Sequence, residues 1–244
     1  VKIHLFVPCY IDQFYPQVAI ATLQLLEKIG CQVIVPINQT CCGQPMANSG
    51  FANLSKECDR NFINNFKEAD YIVAPSGSCV LHIKEHLKDE NRTQEVTHIQ
   101  NNIFELSEFL IDILNITQLP ARFPHKVGWH NSCHGQRGLH LSSMSELVAP
   151  AFSKPEKLLN MVDGLELSIP VRRDECCGFG GTFCVFEEAV SVKMGKDRVT
   201  EHEANGVEYI TGGDTSCLMH LEGILKRQKS VIKTIHIAEI LNKM

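Results

Sequence analysis

The sequence predicts an α/β protein made of two similar Rossmann-like halves with parallel sheets, related by internal duplication. Three observations predict it. The adjacent pair Cys41 and Cys42 in TCCGQP returns as Cys176 and Cys177 in ECCGFGG, each pair followed at once by glycine. Each pair is flanked by single cysteines that end similar apolar runs: Cys9 (KIHLFVPC) and Cys79 (YIVAPSGSC) around the first, Cys133 (KVGWHNSC) and Cys217 (YITGGDTSC) around the second. Short apolar runs also alternate with stretches of helical periodicity, which is the order of strand-helix-strand units with right-handed crossovers. The surroundings repeat as well: Asp70, Tyr71, Ile72 and Ser78-Cys79 followed by His82 match Glu208, Tyr209, Ile210 and Ser216-Cys217 followed by His220, and ELSEFLIDIL at 105–114 rhymes with HIAEILNKM at 236–244. Self-similarity of this kind divides the chain into residues 1–122 and 123–244, each of about 120 residues and large enough for its own core.

In order along the chain, residues 2–8 (KIHLFVP) read as a short buried strand with Cys9 exposed at its carboxyl end. Pro16 opens a helical pattern with Val18, Ala21, Leu25, Leu26 and Ile29 on one face, and Gly30 stops it. CQVIVP at 31–36 is the second strand, residues 48–68 follow with helical periodicity, ADYIVAP is the third strand, and SGSC opens the next helix. A linker is expected around NITQLPARFPHK, where Pro120 and Pro124 break periodicity before the strand HKVGWH. The second half repeats the plan with a longer insertion: 42 residues lie between Cys133 and Cys176, against 31 between Cys9 and Cys41. In parallel sheets ligands collect beyond the carboxyl ends of the strands, and all four cysteines of each set belong there.

Composition narrows the function. The 244-residue chain is 44% hydrophobic and 21% charged with a net charge of −5 and no basic block, so nucleic acid is not an expected partner. The first apolar run is too short for a signal-peptide core, and no stretch reaches the length of a membrane span, so a cytoplasmic protein is expected. The first residue, Val1, suggests trimming of an initiator Met. In a reducing compartment many cysteines argue for metal or redox chemistry rather than for a disulfide framework.

Neighbouring cysteines do not readily close a disulfide on each other, but their thiolates converge on one centre if the backbone turns sharply, which Gly43 and Gly178 permit. Four thiolates close a [4Fe-4S] cube, one per iron, and four also close a structural zinc. Structural zinc sites usually take ligands as close pairs such as C-x-x-C, whereas here they come from distant strand ends, which favours a cluster. Gly178, Gly180 and Gly181 would let backbone N–H groups approach sulfur. GFGGT does not have the spacing or the lysine of a phosphate loop.

CCGQP with the later NSG, WHNSCHGQRGL, CCGFGGTF, GDTSCLMHLEG and IHIAEIL resemble, over nearly the whole chain, the duplicated CCG cysteine-rich domain family. That family includes a component of heterodisulfide reductase and the iron-sulfur subunit of glycolate oxidase. The fullest resemblance is to the cysteine-rich iron-sulfur component of bacterial three-part L-lactate utilisation (lactate dehydrogenase) systems. The resemblance implies an electron-transfer subunit of a complex that oxidises L-lactate to pyruvate. It also implies up to two iron-sulfur clusters per chain, held by Cys9, Cys41, Cys42 and Cys79 and by Cys133, Cys176, Cys177 and Cys217. Two further subunits are implied as partners, one of them ferredoxin-type. The chain shows no flavin or nicotinamide fingerprint, so it is not expected to oxidise lactate alone. The heterodisulfide reductase relative carries C-x-x-C in its third segment. Here Ser76 and Asp214 stand at the first of those positions, which favours an ordinary [4Fe-4S] cube over a non-cubane cluster. The alternatives are a heterodisulfide-type thiol-disulfide reductase component and a zinc-stabilised interaction module.

Several neighbours carry a second reading. His134 and Arg137 are candidates for a proton donor and a carboxylate clamp, or else a helix-start histidine and a surface arginine. Asp214 is read as a solvated carboxylate that helps its helix start rather than as an oxygen ligand. His82 and His220 occupy equivalent places and suggest repeated packing or hydrogen bonds near the ligands. His130 reads as a core residue or one beside the ligands. Arg172 and Arg173 either offset cluster charge or form a solvated pair. Cys31, Cys58 and Cys184 have no counterpart in the duplication and read as packed or spare thiols.

Overall fold

The computed structural model describes residues 1–148 and 150–243. The first sheet comprises β1 (Lys2–Leu5), β2 (Gln32–Ile34), β3 (Ile72–Ala74) and β4 (Ile103–Glu105), in the order β2-β1-β3-β4. The second comprises β5 (Lys126–His130), β6 (Glu166–Ser168), β7 (Tyr209–Gly212) and β8 (Lys233–His236), in the order β6-β5-β7-β8. All pairings are parallel, with His4 opposite Ile72 in the first sheet and His130 opposite Gly212 in the second. The α/β class and the two similar halves expected from the sequence are what the chain adopts. In each sheet the strand order reverses between the first and third strands, and that switch point opens the crevice in which such folds bind ligands.

The first half carries helices α1 (Cys9–Phe14), α2 (Pro16–Lys28), α3 (Gln44–Asn48), α4 (Lys56–Phe66), α5 (Gly77–His86), α6 (Thr93–Asn102) and α7 (Leu106–Glu108). The second carries α8 (Lys154–Leu159), α9 (Phe183–Phe186), α10 (Glu188–Ala204), α11 (Thr215–Gln228) and α12 (Ile237–Leu241). Pro16 supplies the preset φ of the first helical residue of α2, and Gly30, at φ +91°, ends the turn after it. Ser76 caps α5 by accepting the Cys79 N–H, and His236 with Glu239 forms a capping box on α12.

Two expectations are corrected. Cys9 does not stand exposed at a strand end but begins α1 and is half-buried. Residues 48–68 are not one helix: α3 stops at Asn48, Gly50 takes φ +85°, and a 3-10 turn at Ala52–Ser55 leads into α4.

One apolar core spans both halves. Leu25, Leu26, Phe109 and Leu110 of the first half pack with Val127, Trp129, Leu158 and Ile237 of the second, all nearly free of solvent contact. Truncating one such leucine to alanine costs about 2–5 kcal/mol, so the halves are held as one body. The cysteine-bearing faces also touch: a Cβ on Gly77 at the start of α5 would lie 3.2 Å from the Gly135 Cα, and one on Gly138 would overlap the Leu81 side chain. Among the described residues no helix is long and apolar enough to cross a membrane.

Candidate metal centres

The parallel strands deliver Cys9 after β1 and Cys79 in the first turn of α5, while the loop after β2 brings Cys41 and Cys42 between them. The Cys9 and Cys41 sulfurs are 3.6 Å apart, and Cys42 touches both Cys41 and Cys79, so the four thiols form one contiguous chain. The second half repeats this: Cys176 contacts Cys133 and Cys177, and Cys177 contacts Cys217. Gly43 at φ +92° and Gly178 at φ +91° make the turns that aim the adjacent sulfurs at one point. Their N–H groups donate to Cys41 Sγ at 3.4 Å and Cys176 Sγ at 3.3 Å, and Phe179 N–H donates to Cys177 Sγ at 3.5 Å.

Thiol donation from Cys42, then from Cys9, pulls Cys41 down to about 3. Donation from Cys133, then from Cys177, pulls Cys176 down to about 2. Cys9 and Cys133 are raised by those same contacts and then by burial. In each set the first cysteine of the pair is thus the thiol pulled toward the thiolate, the form in which sulfur binds metal.

Both sets open onto a single cavity of about 470 Å³, lined by every one of the eight cysteines except Cys41. It is bridged by Gln44 Nε2 and His134 Nε2 at 3.5 Å and by Tyr10 and Phe179, whose ring centroids are 6.0 Å apart. Among the described residues no lysine or arginine lines it. The donor set fits an iron-sulfur cluster: four convergent thiols, backbone N–H groups on sulfur, and open volume beside them. The 3.6 Å sulfur contact approaches the edge of about 3.8 Å expected for a zinc tetrathiolate and is shorter than the spacing of thiolates on different irons of a cube, which would have to part to admit one, but one zinc ion needs no such cavity.

Asp214 is corrected most sharply. It is 1% exposed, not solvated, and leaves its own helix uncapped. Its Oδ1 instead accepts from Ser76 Oγ at 2.9 Å, Ser78 N–H at 3.0 Å and Ser78 Oγ at 2.8 Å, all in the other half. The second-half carboxylate thus caps the first-half helix that carries Cys79. Arg137 turns away from the cavity to pair with the exposed Glu146, while His134 lines the cavity. Arg172 pairs with Glu175 and Glu201, and the Arg173 carbonyl accepts from Asn131 Nδ2 at 3.4 Å.

His82 is buried behind the first turn, its pKa lowered to about 4 mainly by burial, and a Cβ on Gly43 would lie 3.7 Å from its Nε2. His220 lies 3.3 Å from the Ser191 carbonyl behind the second turn. Cys31 packs in the shared core, Cys58 is half-buried beside Gly43, and Cys184 donates to the Gly181 carbonyl at 3.0 Å. Arg198 and His202 carry no mark in the sequence pattern, yet both are buried near His130, whose ring nitrogen lies within 4.8 Å of the Cys177 and Cys217 sulfurs. The available signal was Gly128 in the strand, where a Cβ would overlap the His202 imidazole.

The cysteine-rich CCG domain family matches this chain twice, over residues 3–84 and 127–222. An Exiguobacterium protein named lactate utilization protein A is 41% identical over 99% of this chain and 97% of its own length. A Macrococcus caseolyticus protein of the same name is 40% identical over 99% and 96%, and one from a Geobacillus species is 38% identical over 99% of each chain. A solved aspartate racemase from Picrophilus torridus overlays with a TM-score of 0.39 at 12% identity, covering 99% of this chain and 90% of that one, too loose a match to bear on activity. With two CCG domains and relatives of this identity along almost its whole length, the chain belongs to the lactate utilization protein A family.

Proposed function

We propose that this chain is the iron-sulfur electron-transfer subunit of a cytoplasmic assembly that oxidises L-lactate to pyruvate, working beside a ferredoxin-type subunit. The observation that carries the reading is the convergence of two four-cysteine sets on one cavity in a chain whose relatives are named for lactate utilisation. A [4Fe-4S] cluster held by Cys9, Cys41, Cys42 and Cys79, and another held by Cys133, Cys176, Cys177 and Cys217, would each supply a one-electron carrier.

The chain's own residues fix the sulfurs and seal them. Gly43 and Gly178 hold the adjacent thiolates in register and give them N–H donors. Asp214 ties the start of α5 to the second half, so the two sets keep one relative position. Among the described residues the lining supplies no lysine or arginine for a carboxylate, and Arg137, the candidate clamp, is engaged by Glu146. On this reading the chain receives electrons rather than substrate.

The test is an anaerobic assay of lactate-dependent dye reduction. The isolated chain is expected to be reducible by dithionite and inert toward lactate, while the full assembly turns over lactate and stops when Cys42→Ser or Cys177→Ser replaces the native chain. Turnover by the isolated chain, or by the assembly without it, would contradict the proposal.

A further inference from the structure

The two cysteine sets look alike from the cavity but have unlike backing. Behind the first set Phe6, three residues before Cys9, packs with Phe62 and Phe66 of α4 at centroid distances of 4.9 and 5.8 Å. Behind the second, the equivalent position three residues before Cys133 is His130, and the helix that packs there, α10, contributes Arg198 and His202. An apolar aromatic trio in one half is replaced by a polar trio in the other. All three are at most 2% exposed. Among the described residues, both ring nitrogens of His130, both of His202 and the Arg198 Nε have no hydrogen-bond partner.

Buried polar groups without partners are costly, about 1–3 kcal/mol each, and are not left so without a ligand or a role. Arg198 is anchored by Glu201 and by the Arg172 carbonyl at 2.5 Å, which leaves its Nε without a partner among the described residues. Gly128 gives up its side chain so that His202 fits beside β5. His130, in turn, brings a nitrogen within 4.8 Å of the sulfurs of Cys177 and Cys217. An imidazole offers an N–H to donate from one ring nitrogen and a lone pair on the other. His82 and His220 occupy equivalent places behind the two turns, His220 against the Ser191 carbonyl at 3.3 Å, and His130 has no such counterpart at Phe6.

On the reading that each set holds an iron-sulfur cluster, we infer that His130, positioned by Arg198 and His202, makes the two centres unequal. With a cluster held by the second set, its imidazole N–H would be the donor within reach of a ligand sulfur there, and an electron accepted by either centre from a one-electron donor would come to rest on the second. Hydrogen bonds to ligand sulfur stabilise the reduced, more negative state and raise the potential, whereas the rings behind the first set offer no comparable donor. His130 is a positioning and tuning residue, distinct from the four thiols.

The test uses the full chain purified without oxygen, with iron and sulfide measured first and a redox titration followed by electron paramagnetic resonance. Two one-electron steps are expected, separated by at least a tenfold difference in reduction equilibrium, which is 59 mV for one electron. His130→Phe, which copies the first half, is expected to lower the second step toward the first, and His130→Gln, which keeps an N–H donor, to preserve most of the separation. Should His130→Phe fail to fold or to load, pulsed resonance on the native chain with ¹⁵N-labelled histidine decides: nitrogen coupling stronger in the higher-potential signal is expected. Two loaded clusters with coincident steps, an unchanged separation in a loaded His130→Phe, or equal nitrogen coupling in both signals would overturn the inference and leave the iron-sulfur reading standing. A native chain without iron and sulfide would remove the iron-sulfur reading itself.

Discussion

Asp214→Ala removes a buried carboxylate that accepts three hydrogen bonds from the opposite half, at 2.9, 3.0 and 2.8 Å. The hydroxyls of Ser76 and Ser78, 3.3 Å apart, can turn toward each other, so the loss falls mainly on the Ser78 N–H and one hydroxyl. A bond to a charged acceptor is worth about 1.5–3 kcal/mol, and a buried donor left bare costs about 1–3 kcal/mol, which places the destabilisation at about 3 kcal/mol. For a chain of this size that is a fall in melting temperature of roughly 6–12 °C. Asp214→Asn keeps an oxygen that accepts from Ser78 N–H and is expected to lose only about a third as much. The assay is thermal and urea unfolding of metal-free protein under reducing conditions, followed by circular dichroism. An Ala variant within about 1 kcal/mol of the parent, or an Asn variant as damaged as the Ala variant, would refute the cross-half cap.

The remaining predictions concern the turns, the ligands and a buried acid. Cys42→Ser is expected to lower iron by about half, leaving the second set loaded, since four thiolates hold each cluster; metal analysis of the purified variant checks it. Gly178→Ala places a Cβ 2.6 Å from the Ser191 carbonyl and 2.8 Å from Met194 Cβ at φ +91°. About 1–2 kcal/mol of backbone strain is expected before those contacts are counted, with metal lost from the second set alone. Burial raises the Glu105 carboxyl from 4.5 to about 8, against the opposing N–H donation of Ser107 and Glu108. The folded protein then holds this proton more tightly than the unfolded chain, so its stabilising contribution is full below about pH 4.5 and is lost as pH rises toward 8. Urea midpoints across that window are expected to fall less steeply for Glu105→Gln than for the parent, and identical slopes would contradict the assignment.

The sheets and the cysteine loops were legible because their signals are local. A short apolar run ending in Cys, a proline opening α2 and a glycine after each cysteine pair each act within a few residues. The break in residues 48–68 was also local, since Gly50 sits in the pattern, but the apolar spacing on either side masked it. What was not legible depends on partners far apart in sequence. Asp214 reads as a helix-start carboxylate until Ser78, 136 positions away, is brought against it by the shared core. Arg198 and His202 lie in a helix of largely polar composition, and only the structure turns them onto its buried face. The common cavity follows from the way the two halves pack, which no single half specifies.

The central claim, that each set of four thiols holds an iron-sulfur cluster, is tested most directly by metal and sulfide analysis of protein purified without oxygen, together with its electron paramagnetic resonance spectrum. The account predicts about eight iron and eight sulfide per chain and a signal that appears on reduction. Stoichiometric zinc without sulfide, in a colourless protein that dithionite does not change, would contradict it and make the chain a zinc-stabilised module.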